Sequence, residues 1–173
     1  MQLELDRWKS PMTTLLLVTD DEGILRALDF AEKEDRMHRL LRLHYGQYTL
    51  RDGAAPASVK KAIKAYFDGG MEALDEIQVA TNGTPFQRKV WKALREIPSG
   101  TTISYGMVAT QVGHPGASRA VGTANGANPI GIVVPCHRVI GAGGKLTGYA
   151  GGLSHKQWLL DHERRYAAVP AAG

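Results

Sequence analysis

The stretch Thr84-Pro85-Phe86-Gln87 specifies the start of a helix. A threonine at the cap, a proline at the first helical position and a glutamine at the third form a capping box, which satisfies N–H groups that a helix start leaves unpaired. Phe86, Val90, Leu94 and Ile97 then recur at helical spacing, and Pro98-Ser99-Gly100 predicts the stop. Ser154-His155-Lys156-Gln157 has the same pattern ahead of "WLLDHERR" and predicts a last helix. Between these two, Ser104 predicts a cap for a short helix from Tyr105 to Val112, ended by Gly113. "HPGA" predicts a tight turn, and Ala117 or Ser118 opens a second helix running to about Gly126. Two short helices around a Gly/Pro turn make a helix-turn-helix pattern, which by itself does not specify nucleic acid.

Upstream, "LLLVTD" and "ILRALDF" around "DEG" predict a hairpin. A helix is expected from Ala31 to Tyr45, with Met37, Leu40, Leu41 and Tyr45 on one stripe. Another follows Pro56, carrying Val59, Ile63, Tyr66 and Phe67 until Gly69-Gly70. His38 and His44 on the first of these read as surface or packing residues. A boundary at "EIQVATNGTP" divides the chain into an N-terminal α/β domain with a structural role, residues 1–80, and a C-terminal domain, residues 81–173. The expected fold class is α+β: a small N-terminal sheet-plus-helix domain, then a mainly helical domain with the helix-turn-helix and a buried cysteine site. The tail "AAVPAAG" is expected to fray.

Charge is distributed unevenly between these parts. Residues 1–80 hold 11 Lys+Arg against 14 Asp+Glu, whereas residues 81–173 hold 10 against 3. No carboxylate occurs between Ile97 and Leu160. A basic half without acids suits a phosphate backbone, since neutralising phosphates releases counterions, but a solvated basic surface reads the same way. The second helix of the pattern, within "ASRAVGTANGAN", is built from small residues around one long cation, Arg119. Such a helix suits close approach to a minor groove better than side-chain readout of the major groove; tight packing on a neighbouring helix is the competing explanation. Runs such as "TLLLV" and "IGIVV" are too short to span a bilayer, and the start "MQLELDRWKSP" lacks the order of a secretory signal. With a single unpaired cysteine, these features predict a cytoplasmic protein.

That cysteine, Cys136, stands in "NPIGIVVPCHRVIG". The β-branched run before it reads as a buried strand, and a buried free cysteine often serves only as a small hydrophobe. Three features favour a nucleophile. Pro135 restricts the backbone, His137 and Arg138 are polar in an otherwise inward segment, and "GAGGKLTGYAGG" offers a loop a ligand can approach closely. An ordinary thiol is only a few per cent thiolate at neutral pH and needs a base. On an extended strand His137 would face away from Cys136, so a bridging water is the natural link. The imidazole then needs a carboxylate, for which Glu96, Asp161 and Glu163 are candidates and Glu163 is favoured.

"TPFQRKVWKALREIPSGTTISYGMVA", "RAVGTANGANP", "IVVPCHRVIG", "GYAGG" and "WLLDHE" together closely resemble O6-alkylguanine-DNA alkyltransferases, the methylated-DNA–protein-cysteine methyltransferases, in their bacterial stand-alone form. The resemblance is dense from Thr84 to Glu163 and looser toward the N-terminus. It implies that Cys136 takes the alkyl group from O6 of guanine in double-stranded DNA, irreversibly and once per molecule, with O4-alkylthymine left open as a second substrate. It further implies that His137 acts as base through a water, that Glu163 orients it, and that Asn128 holds the turn shaping the pocket. Tyr105 and Arg119 would rotate the nucleotide out and fill its place from the minor groove. The backbone near Cys136 and Val139 would read the guanine edge, Tyr149 and the glycines of "GYAGG" would form the loop closing over it, and Lys156 falls on a family position near the site. No cofactor is expected, and no metal: the cysteine zinc site of some relatives cannot be built the same way with Cys136 alone. A monomer without membrane contact is expected. Ala150 and Gly131 stand where some members carry serine and proline, which leaves tolerance for bulky alkyl groups open. A non-catalytic damage sensor of the same fold is the alternative, and Cys136 argues against it. A cysteine hydrolase would leave the helix-turn-helix and Arg119 without a purpose.

Overall fold

The computed structural model describes residues 1–146 and 148–167. Thr147, and the expected fraying of the tail beyond Ala167, lie outside the described residues. Four strands, β1 (Gln2–Lys9), β2 (Thr14–Asp20), β3 (Leu25–Phe30) and β4 (Thr49–Asp52), form a sheet ordered β3-β2-β1-β4. β2 pairs antiparallel with β1 and β3, and β4 runs parallel to β1. The expected hairpin is β2–β3. β1 and β4 go beyond the expectation, although β1 alternates buried Leu3 and Leu5 with more exposed Glu4 and Asp6, the period of a half-buried strand.

The sheet is covered on both faces, which explains the unbroken apolar run of β2. Leu16 and Val18 pack with Leu3, Leu5, Met37 and Leu41 under α1 (Glu34–Tyr45). Leu15 and Leu17 face the other way, into a cluster that holds α2 (Ala57–Phe67) and continues through Trp91, Val121, Ile130 and Cys136. The N-terminal sheet and the C-terminal helices therefore share one core. The outer edge of β3 is used as well. Leu28 N–H donates to the Pro129 carbonyl at 3.0 Å, and Gly131 N–H donates to the Leu28 carbonyl at 2.9 Å.

In the C-terminal half, α3 (Pro85–Arg95) begins with the Thr84–Gln87 box, both hydrogen bonds being present. α4 (Tyr105–Gln111) is capped by the Ser104 side chain, and α5 (Ser118–Gly126) follows the turn. α3 supports α5 through the Trp91 indole, which donates to the Ala124 carbonyl at 2.9 Å. A short parallel pair, β5 (Ile103–Ser104) and β6 (Val139–Ile140), links the start of α4 to the end of the cysteine segment. α6 (Leu153–Ala167) closes the chain. It starts ahead of Ser154, so the second capping box expected at Ser154–Gln157 is not formed: Ser154 lies inside the helix.

The stretch 130–134 is not the expected strand. Pro129 and Pro135 bracket it, Val134 N–H donates back to the Ile130 carbonyl, and the chain folds on itself instead of extending. Its β-branched composition reflects burial, which strands and buried turns share. Ile132 adopts φ 68°, a region β-branched residues rarely enter, and is held there while fully buried.

Candidate active site

Cys136, His137 and Arg138 form a single 3-10 turn between Pro135 and β6. Successive side chains in such a turn diverge by roughly 120° rather than the opposite directions of a strand. All three are buried. This turn sends Cys136 toward Asn128 and Tyr149, while His137 and Arg138 reach α6.

Asn128 organises the approach. Its Nδ2 donates to the Val134 carbonyl at 2.8 Å, and its Oδ1 accepts from Ile130 N–H at 3.0 Å. Burial pushes the thiol pKa up, and the Asn128 contact opposes this only in part. The resting sulfur is thus a neutral thiol. Burial together with the nearby Cys136 sulfur holds the Tyr149 phenol well above its usual pKa. Lys156 Nζ donates to the Val139 carbonyl at 2.7 Å, its pKa lowered by burial. Gly151 sits against the Phe30 ring, where a Cβ would collide, so the loop after Tyr149 packs closely on that side chain.

On the far side of the turn, His137 Nε2 lies 2.8 Å from Glu163 Oε2. Arg138 grips the same carboxylate with Nε on Oε1 at 2.8 Å and Nη2 on Oε2 at 2.9 Å, and its Nη1 donates to the Ile97 carbonyl. Burial alone would push the Glu163 carboxyl up. The attraction of His137 and the hydrogen bonds from His137 and Arg138 outweigh it and hold the group well below the usual carboxylate range. An ionised carboxylate only accepts, so in the neutral imidazole the single proton sits on Nε2. His137 Nδ1 then presents a lone pair, buried and without a protein partner. Of the other candidate carboxylates, Glu96 and Asp161 are exposed, and Asp161 pairs with Gln157.

The structure thus gathers Cys136, His137, Asn128, Val139, Tyr149, Lys156 and Glu163 in one buried centre. Tyr105 and Arg119 lie outside it, in a groove of about 670 Å³ between α4 and α5 that also includes Ser118 and Gly122. The two regions meet at the loop: the Tyr105 hydroxyl lies 3.9 Å from where a Gly148 Cβ would sit, one residue before Tyr149.

Sequence reading missed several contributors. Arg138 was noticed only as an odd polar residue, yet it is a main support of Glu163. Tyr66 of α2 donates to Glu163 Oε2 at 2.6 Å, and no local pattern marks a partner 97 residues away. Arg36 of α1 donates to Asp29 Oδ2 and to the carbonyls of Gly126 and Asn128, clamping the Asn128 turn to the N-terminal sheet.

Residues 85–165 match the family profile described as 6-O-methylguanine DNA methyltransferase, DNA binding domain. Over 156 residues the chain is 51% identical to a Salmonella typhimurium methylated-DNA–protein-cysteine methyltransferase, covering 89% of this chain and 91% of that one. A crystal structure of the Mycobacterium tuberculosis O6-methylguanine methyltransferase superposes with a TM-score of 0.79 at 41% identity, covering 98% of this chain and 96% of that one. A structure of the M. tuberculosis protein in complex with DNA gives 0.78 at 40% identity, covering 96% and 94%.

Proposed function

The chain belongs to the methylated-DNA–protein-cysteine methyltransferase family, and from that premise we propose that it repairs O6-alkylguanine in DNA by moving the alkyl group onto Cys136. The observation that carries this reading is a buried thiol next in sequence to a buried imidazole whose Nδ1 has no protein partner. A water between Sγ and Nδ1 carries the thiol proton to His137, and Glu163 stabilises the imidazolium that forms. The sulfur attacks the alkyl carbon, the carbon–O6 bond breaks with its electron pair going to the guanine, and a proton restores the normal base. The product on the protein is a thioether. Water has no leaving group to displace from it, so each molecule reacts once.

The O6 atom lies inside the duplex, so the nucleotide must be rotated out at a cost of a few kcal/mol. The exposed Arg119 on the small-residue face of α5 enters the stack from the minor groove and takes the vacated space, while Tyr105 guides the nucleotide toward the loop that carries Tyr149. Val139 and Lys156 border the receiving pocket. Residues 81–173 carry recognition and chemistry, and residues 1–80 brace them. No described helix is long and apolar enough to cross a membrane. We assign the protein to the cytoplasm as a monomer acting on DNA.

Intact-protein mass spectrometry after mixing with a duplex containing one O6-methylguanine tests the reading. A gain of one methyl group, mapped to the Cys136 peptide and stopping at one equivalent, is expected. Tight binding without any mass change would replace it with a damage sensor.

A further inference from the structure

Glu163 receives one hydrogen bond from the N-terminal half that the reaction described above does not call on. Its donor is Tyr66, which comes from α2 in the N-terminal half and is fully buried. Three donors converge on Oε2: Tyr66 Oη at 2.6 Å, His137 Nε2 at 2.8 Å and Arg138 Nη2 at 2.9 Å. Arg138 Nε takes Oε1. A carboxylate offers about four lone-pair sites, two on each oxygen, so three donors compete for Oε2.

We propose that Tyr66 is a positioning residue that limits how strongly Glu163 stabilises protonated His137, and so sets the pH range over which His137 can serve as the base. The inference rests on the reading of His137 as that base. With His137 neutral, Arg138 and Glu163 cancel in charge. An imidazolium adds a surplus positive charge to a site sealed from solvent, and only the electron density left on Oε2 favours it. Each competing donor on that oxygen reduces what remains for His137. Arg138 cannot be removed without leaving a buried carboxylate short of its charge partner. Tyr66 is neutral, and its hydroxyl adjusts the balance without changing the net charge.

The hydroxyl is held to this one task. The Tyr66 ring meets Phe67 and His162 edge-on, with centroids 5.2 and 5.1 Å away, and its carbonyl lies 2.9 Å from His162 Nε2. Other titratable and charged groups approach from their own sides. His162 of α6 stands beyond the ring. Tyr149 and Lys156 face the thiol, with Arg36 and Asp29 of the N-terminal half acting on it from farther off. The N-terminal half thereby touches the reacting centre through a tunable hydrogen bond as well as through packing.

The test replaces residue 66 in two opposite directions, Tyr66→Phe and 3-fluorotyrosine incorporated at position 66 alone. Single-turnover transfer from an O6-methylguanine duplex is measured across pH, and the His137 imidazole is titrated by NMR in unreacted, histidine-labelled protein. Tyr66→Phe removes a competitor, so the acid limb and the imidazole titration should move to higher pH by about half a unit or more. The fluorinated ring is a stronger donor, so both should move to lower pH. Uniform slowing without displacement, or displacement in the same direction for both, overturns the proposal. Should Tyr66→Phe fail to fold, the nearly isosteric fluorinated protein decides alone. The imidazole titration needs no turnover, so a failure of the alkyl-transfer reading would show separately, as an absence of transfer in the unmodified protein.

Discussion

Around Glu163 four hydrogen bonds converge on one buried carboxylate, while the face formed by α4 and α5 leaves Met107, Ser118 and Arg119 open to solvent. In the first region fixed partners from α2 and the cysteine turn surround a carboxylate carried by α6. The second is nearly featureless: small side chains, one long cation, and no carboxylate from Ile97 to Leu160. Under the proposed function the difference follows from the demands on each. Moving a proton off a buried thiol needs dipoles already in place, because water cannot reorganise to help. Lying against a groove of varying sequence needs shape and positive charge, which small residues and an uncompensated arginine supply.

Removing the sulfur separates the two regions most sharply. Cys136→Ala should abolish alkyl transfer entirely, with no mass gain on the protein, while binding to the same duplex stays within a few-fold of the parent. Residual transfer in that variant would show that the nucleophile lies elsewhere.

Glu163→Gln breaks the buried region from within. Transfer should fall by about 100-fold or more, because the imidazolium loses its counter-charge. Stability at neutral pH should drop by about 3–5 kcal/mol, since Arg138 is left buried without its partner. The pH dependence has a definite sign. The folded carboxyl sits below its unfolded value, so its stabilisation is complete above the ordinary carboxylate range and is lost as pH falls below it toward the folded value. Denaturant titrations of parent and variant should therefore converge on acidification. A gap that stays constant down to pH 2 would contradict the ionised assignment.

The same contrast governs what could be read from the chain. α3, α4 and α5 are punctuated by local chemistry, Thr84 with Gln87, Ser104, and the Gly113–Gly116 turn, so their limits were legible. β1 and β4 owe their existence to partners elsewhere in the chain, and only the alternation of Leu3 and Leu5 hinted at one of them. The stretch 130–134 misled because its valines and isoleucines suit a strand, whereas the Asn128 side chain, bonded to Ile130 and Val134, folds it into a turn. Cys136 and His137 stand out as a local pair, and Glu163 was singled out among three carboxylates. Arg138 and Tyr66 gain their meaning only when α2 and α6 meet around the turn, and no spacing in the sequence encodes that.

On the open face, Arg119→Ala should slow repair of O6-methylguanine in duplex DNA by about 10- to 100-fold, the cost of holding an unstacked nucleotide without the intruding side chain. Reaction with a free O6-alkylguanine base, which needs no rotation, should change little. Equal slowing on both substrates would place Arg119 in the chemistry and dissolve the division between the regions.

The smallest effect is expected where the open face is anchored. Thr84→Ala removes the oxygen that accepts from Gln87 N–H at 3.1 Å but leaves the Thr84 N–H bond to Gln87 Oε1 possible. Losing one cap should cost about 1 kcal/mol, or about 2–4 °C in Tm. Trp91 lies more than a turn farther along α3 and still ties it to α5 through the Ala124 carbonyl, so fraying at Thr84 should not reach the DNA face. Transfer rates on duplex and on free base should both stay within about twofold of the parent, since no group that moves a proton or touches the nucleotide is altered. A selective loss on duplex would mean that α5 depends on the first turn of α3, and that the plain face is held as tightly as the buried site.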